Sequence, residues 1–456
     1  MSHRSRIVLE ALKQHNANLT REERASKYGK MAQSPFRFYR GTNHLFWSDF
    51  SQDKRLQQFS SQRTRIWLQG DLHTENYGAY GNDDGHVVYS LNDFDDSVVA
   101  DYQFDIWRMA ISIVLVARQS ITRSFSKKNI EQILEAFVEE YLETLDHHRG
   151  QRSEHRLTFT GNVLTEHLNE FLEKVDNRST LKQFLNQWTI LTTDEKNSRK
   201  ISSKNGTERR RFNYGKLPHK LAPVTKPEWD AIANQMAQYG TTLKGKIDYN
   251  PHHFEIQDIA QRINAGTGSL GARRYYVLIS DGDKSPLTER ILDIKHQMEP
   301  TPFLHMKEGD RQTYNQVFGN NHALRHATAY RALTNSTDDY LGWMYLKDLP
   351  DHVSGYFSVR ELSPYKRSFD ATKISTLKIF KDVSKNWGTI LATAHSRADK
   401  DFDSTFIDYS FDKQVDKIVK NHHDDFCRLV KTIALPYADQ VESDWQTFID
   451  SKLINE

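Results

Sequence analysis

The chain has 456 residues, 37% of them hydrophobic and 27% charged, a balance that fits a soluble protein with a sizeable core spread over two or three compact units. A formal net charge of +2 gives no global field to draw nucleic acid or an anionic membrane, and the single cysteine, Cys427, excludes an internal disulfide. No apolar run reaches the roughly 18–20 residues of a membrane span, and the opening MSHRSRIVLEALKQHN has no apolar signal core, so the expectation is a cytoplasmic protein with neither membrane nor nucleic-acid partners.

In chain order, residues 1–60 read as polar helix ending in SPFRFYRG (34–41). Residues 65–93 read as strand, loop, strand, tight turn and strand; the turn GNDDG (81–85) is rich in residues that tolerate left-handed backbone. FDIWRMAISIVLVAR (104–118) is an apolar helix. Ser126 caps an amphipathic one, in which Ile130, Ile133, Leu134, Phe137, Val138, Tyr141, Leu142 and Leu145 recur at helical spacing. Helical stretches near 163–175 and 181–190 lead to a basic tract, KNSRKISSKNGTERRRFNYGK, read as a solvated hairpin or loop, with binding of an anionic substrate as the sharper alternative. After Pro251 the pattern turns β-like: HFEIQDIAQRINA and ARRYYVLIS flank GTGSLG (266–271), and RILDIK (290–295) follows a turn. A helix over 322–333, a strand over 356–362 and helical pattern from Ala371 complete the chain. The adjacent pairs His147–His148, His252–His253 and His422–His423 are poor chelators, because neighbouring side chains diverge.

The chemistry concentrates in GDLHTENYG (70–78), between two strands. Asp71 and Asn76 have the spacing of a kinase catalytic loop, in which a carboxylate orients or takes the proton of an attacking hydroxyl and an amide oxygen reaches magnesium. The string resembles the GD(L/I)HxxN loop of aminoglycoside-phosphotransferase-like kinases. A kinase needs a further aspartate at the end of the next hairpin, and SLNDFDD supplies Asp93, with Asp95 and Asp96 behind it. Asp105, opening the apolar helix, is placed to hydrogen-bond the catalytic loop. GTGSLG fits a phosphate-covering glycine loop between strands, with Lys295 on the strand beyond; a dinucleotide-binding turn would need a helix straight after the glycines. WGTILATAHSRAD (387–399) resembles the helix that precedes the catalytic loop in such kinases, but it lies near the C-terminus. The elements therefore stand in rotated order, as in a circular permutation.

The rotated order, with SPFRFYRG, GDLHTENYG, NDFDD (92–96), TGSLGAR (267–273), LGW (341–343) and REL (360–362), resembles the bacterial family catalogued as domain of unknown function 2252. The resemblance covers most of the chain and least of 151–250. It implies an α+β, two-lobed, protein-kinase-like fold with permuted element order. The large, mainly helical lobe would come from 1–150 and 366–456, the β-rich small lobe from 252–365, and a helical insert or cap shaping the acceptor site from 151–251. Two departures stand out: KHQ (295–297) where the family has KEA, and RHATAYR (325–331) with Thr328 where a glutamate partner for the lysine would stand; Glu299 is the substitute candidate.

The resulting expectation is an ATP-dependent phosphotransferase acting on a small-molecule hydroxyl. Asp71 is the catalytic carboxylate, with His73 orienting the loop. Asn76, Asp93 and Asp95 are the magnesium candidates. Gly266, Gly268, Ser269, Gly271, Lys295 and Arg360 are the nucleotide-binding candidates, with the backbone of 358–360 set against adenine. Arg40 binds phosphate or substrate, or pairs with an acidic loop. The rival readings are an AMP-transferring enzyme with the same metal residues and a pseudokinase acting as a regulatory module.

Overall fold

The computed structural model describes residues 2–82, 84–122, 125–178, 180–193, 208–244, 247–264, 271–280, 288–335 and 337–455. The protein is a mixed α+β structure. Its largest core joins segments from both ends of the chain, from Val8 to Leu453, around the helices Gln103–Arg118, Lys127–His148, Leu377–Arg397 and His423–Ile449. Every residue of Gln103–Arg118 but the last is buried, as expected of a helix apolar on all sides. Lys127–His148 begins with a capping box between Ser126 and Asn129 and buries all eight of the apolar positions read from its sequence. N- and C-terminal helices are tied by Arg4, which binds Asp444 at 2.6 Å and Asp49 at 2.7 Å.

A six-stranded antiparallel sheet runs in the order Gly342–Leu349, Val353–Glu361, Arg290–His296, Arg274–Ser280, Glu255–Arg262 and Leu221–Pro223. Alternation of side chains along each strand sorts its two faces. Tyr275, Val277, Ile279, Leu292, Ile294, Phe357 and Val359 share a core with Ile232, Met236 and Tyr239 of the short helices Lys226–Ala233 and Met236–Gly240. On the opposite face Tyr276, Leu278 and Ile291 pack under Phe184, Leu185 and Phe212. The same parity gives that face a polar row, since Asp293 pairs with Tyr276 and Arg360, and Lys295 with Arg274 and Ser358.

Residues 151–251 are not purely helical. Their helices Glu166–Arg178 and Leu181–Trp188 are followed by a hairpin, Thr189–Thr193 with Glu208–Phe212, and by Leu221–Pro223 on the edge of the main sheet. A three-residue edge strand ending in proline carries too little alternation to be read locally. The helix Glu308–Phe318 and the strand Gly342–Leu349 were likewise not anticipated. Among the described residues no helix is long and apolar enough to cross a membrane.

Candidate functional site

The loop after strand Arg65–Leu68 is held from behind by buried groups. Gly70 turns with φ +86°. Its N–H donates to Asp105 Oδ1 (3.0 Å), the N–H of Gln69 donates to Asp105 Oδ2 (2.7 Å), and its carbonyl accepts from Trp47 Nε1 (3.0 Å) and Asn43 Nδ2 (3.1 Å). Asp105 thus does what its position at a helix start suggested, and His395 of the C-terminal helix Leu377–Arg397 lies 3.4 Å from it.

Asp71 lies at the floor of a cleft. Arg108, itself 1% exposed and set against the Tyr39 and Phe46 rings, donates from Nε to Asp71 Oδ1 at 2.8 Å. Among the described residues no group hydrogen-bonds Asp71 Oδ2, which leaves one oxygen to receive a proton. Burial pushes the Asp71 carboxyl up to about 7, against the pull of Arg108 and with help from Asp96 and Asp93. His73 is buried; its Nε2 accepts from Arg40 Nε at 3.2 Å, and burial, then Arg40 and Arg108, hold it well below its ordinary value. Its Nδ1 is buried without a hydrogen-bond partner among the described residues. Arg40 also pairs with Glu75, the ion-pair reading of that arginine.

Asn76 and Asp93 meet where the strands Tyr77–Gly81 and Val87–Leu91 pair, with the N–H of Asn92 donating to the Asn76 carbonyl at 2.9 Å. Asn76 Nδ2 donates to the Asp71 carbonyl (3.0 Å). Asp93 is exposed and adopts φ +64°, a backbone state uncommon outside glycine and enriched at functional sites. Gln69, fully buried, bridges the two loops: its Oε1 accepts from the Asp71 N–H at 2.8 Å, and its Nε2 donates to the carbonyls of Asn92 (3.2 Å) and Asp93. Gln69→Leu would strand these groups, so it should lower the unfolding free energy by about 2–4 kcal/mol in urea titrations; a loss under about 0.5 kcal/mol would show that the bridge is dispensable.

The main sheet reaches this site through Lys295, which pairs with Asp95 across the cleft. Gln297 Nε2 donates to the other Asp95 oxygen at 3.0 Å, and His326 Nδ1 stands 3.4 Å from it. Burial acts to raise the Asp95 carboxyl, but Lys295 and His326 outweigh it and hold Asp95 well below the usual carboxylate range. The partner of Lys295 is therefore Asp95, and Gln297, the departure from KEA, helps fix it. The helix His322–Leu333 supplies cations instead of a glutamate. Arg325 donates to the carbonyls of Phe94 (3.1 Å), Asp95 (2.6 Å) and Ser97 (2.9 Å). Asp96 accepts from Asn43 (2.8 Å) and from the Thr301 N–H (2.7 Å).

Arg360 lies on the same sheet face, with its Nε 3.8 Å from Asp293, which also binds Arg274 at 2.6 Å. Ser358 and Val359 sit between two neighbouring strands, so their backbone groups are committed to the sheet. Lys366 carries a water-accessible side chain; the surrounding protein mass and Arg360 pull its pKa down, and Asp93 opposes them. Gly271, with φ +83°, closes the connection between Glu255–Arg262 and Arg274–Ser280 and lines the cleft beside Asp71, Asp95 and Lys295. Gly266, Gly268 and Ser269 lie outside the described residues, as does most of the basic tract.

As a magnesium set, Asn76 Oδ1 and the Asp93 carboxylate fit: both are oxygen donors, and neither takes a hydrogen bond from a described side chain. Asp95 fits less well, since Lys295, Gln297 and His326 engage both its oxygens. Elsewhere, Glu154, His155 and Asp401 bring one ligand atom each within 4.8 Å of one another, but Asp401 already binds Arg152 at 3.1 Å.

A family model described as "Uncharacterized protein conserved in bacteria (DUF2252)" matches residues 20–451. The chain belongs to this family. The bounds of the match take in residues 151–251 as well as the motif-bearing segments. No curated protein and no solved structure matches the chain.

Proposed function

We propose that this DUF2252 protein is an ATP-dependent phosphotransferase of protein-kinase-like, circularly permuted architecture, acting on a hydroxylated small molecule. One observation carries the reading: Lys295, from a sheet with a glycine-bearing connection, pairs with Asp95 beside Asp71 and Asn76, although some 200 residues separate the two segments. Bringing a lysine, an acidic pair and a half-free carboxylate into one cleft serves positioning and charge stabilisation, which is what phosphoryl transfer requires. In this reading the helical body and the sheet are the two lobes. Asp71 Oδ2 takes the acceptor proton, while Arg108 fixes the carboxylate. Lys295, Arg360 and Lys366 face the phosphates. Asn76 and Asp93 would hold magnesium, which supplies charge neutralisation at the phosphates when bound.

The test uses ATP labelled separately at the α and γ phosphates with a panel of hydroxylated small molecules. Label from γ in the product supports the proposal, label from α supports AMP transfer, and neither leaves nucleotide binding without transfer. That last reading draws on the commitment of Asp95 to protein partners. The proton-accepting role predicts that the transfer rate climbs with pH through about 7, where the Asp71 carboxyl ionises, and levels off above it. A rate flat from about pH 5 to about pH 9 would remove Asp71 from that role.

A further inference from the structure

The cleft at Asp71, of volume ≈ 370 Å³, has a wall that neither the catalytic loop nor the sheet provides. His15, Asn16, Asn18 and Leu19, between the helices His3–His15 and Arg21–Met31, line it together with Lys27. Among the described residues, none from 151–251 does, so the segment expected to shape the acceptor site is not at this wall.

The polar groups on this wall lack partners. Lys27 is only 7% exposed, yet among the described residues no carboxylate lies within ion-pair distance of it, whereas Lys295 is paired with Asp95 and Arg40 with Glu75. Burial pulls its ammonium down to about 8, with Asp96 and Asp71 opposing from farther away. Asn16 Oδ1 and Asn43 Oδ1 are buried with no hydrogen bond, their amide nitrogens being spent on the carbonyls of Leu12 (2.8 Å) and Gly70 (3.1 Å). Behind them His44 stacks on His15 at 4.1 Å, with both ring nitrogens unpartnered. Buried polar groups are normally satisfied, and orphans clustered on one cavity are the groups to which a bound ligand or water would hydrogen-bond. The donor set specifies that ligand: an ammonium calls for an anion, and two amide oxygens call for hydroxyl or amine donors.

We propose that the N-terminal arm forms the acceptor pocket of this cleft, with Lys27 as its anion-binding residue, so that the acceptor is a hydroxylated small molecule bearing an anionic group. The position fits: Lys27 lines the same cleft as Asp71, Asp96 and Lys295. The word acceptor rests on the phosphotransferase reading; the anion site does not.

The test is a ³¹P NMR titration of inorganic phosphate into the wild type, Lys27→Met, Lys27→Arg and Lys295→Met, with Mg·ATP calorimetry on the first two. Lys27→Met should weaken phosphate binding about tenfold or more, the worth of one charge-assisted hydrogen bond. Lys27→Arg should retain it, and the Mg·ATP affinity of Lys27→Met should stay within about twofold of the wild type. Lys27→Met should also melt no lower than the wild type, because it replaces an unpaired buried ammonium with an apolar chain of similar length. The proposal is overturned if phosphate fails to bind the wild type, if Lys27→Met binds it equally well, or if Lys295→Met alone abolishes binding. Should phosphate binding follow Lys27 while Mg·ATP binds no form of the protein, the anion site stands and the phosphotransferase reading falls.

Discussion

Gly70→Ala is expected to lower the unfolding free energy by about 3–5 kcal/mol, among the largest effects available to a single methyl group. Two independent costs add. The residue turns with φ +86°, where a Cβ carries a penalty of about 1–2 kcal/mol. That Cβ would also stand 2.0 Å from the Asp96 carbonyl oxygen and 2.6 Å from its carbon, both backbone atoms. Neither side can yield cheaply. The Gly70 N–H and carbonyl are fixed by Asp105, Trp47 and Asn43, and the 94–97 segment by Arg325. Whatever relief the chain finds must separate the Asp71 loop from the Asp93–Asp96 turn, so the variant should also lose ligand binding at temperatures where it remains folded. Denaturant unfolding with circular dichroism checks the first expectation; a loss under about 1 kcal/mol would mean that the two loops are not in the close contact described.

That contact separates what the sequence disclosed from what it did not. Asp71, Asn76, Asp93 and Lys295 could be singled out because each sits in a short string whose residue types and spacing resemble those of kinase loops. Asp105 could be singled out because it stands where similar kinases carry an aspartate at the start of the following helix, and it does hydrogen-bond the loop. The alternation in ARRYYVLIS and RILDIK was enough to place Lys295 in a strand, and its parity puts the lysine on the polar face. Gln69, Arg108 and Arg325 were silent for a common reason. Each acts through partners distant in sequence, such as Arg108 on Asp71 or Arg325 on the Phe94 carbonyl, and local pattern holds no trace of those pairings. The search for a glutamate on 325–331 failed for a related reason: the charge partner of Lys295 lies on the Asp93–Asp96 turn, so that helix is free to carry Arg325 and His326 toward the same turn.

The second large effect concerns nucleotide. If Asp93 and Lys295 serve one Mg·ATP site, replacing either with alanine should weaken binding by about a hundredfold or more, since Lys295→Ala deletes the cation that faces phosphate and Asp93→Ala a ligand of the magnesium that neutralises it. Lys295→Ala has a further consequence. Asp95 would lose its ion-pair partner and keep only Gln297 and His326, leaving a less compensated carboxylate facing the phosphates and adding to the loss. Among the described residues Asp93→Ala breaks no side-chain hydrogen bond, so its effect should fall chiefly on the magnesium-dependent part of the affinity.

Calorimetric titration of ATP into the wild type, Asp93→Ala and Lys295→Ala, each with and without magnesium, tests the central claim most directly. The predicted result is magnesium-dependent binding to the wild type, loss of the magnesium dependence in Asp93→Ala, and weak binding in either condition for Lys295→Ala. A folded wild type that takes up no ATP, or two variants that bind it as the wild type does, would contradict the claim that these distant segments form one nucleotide site.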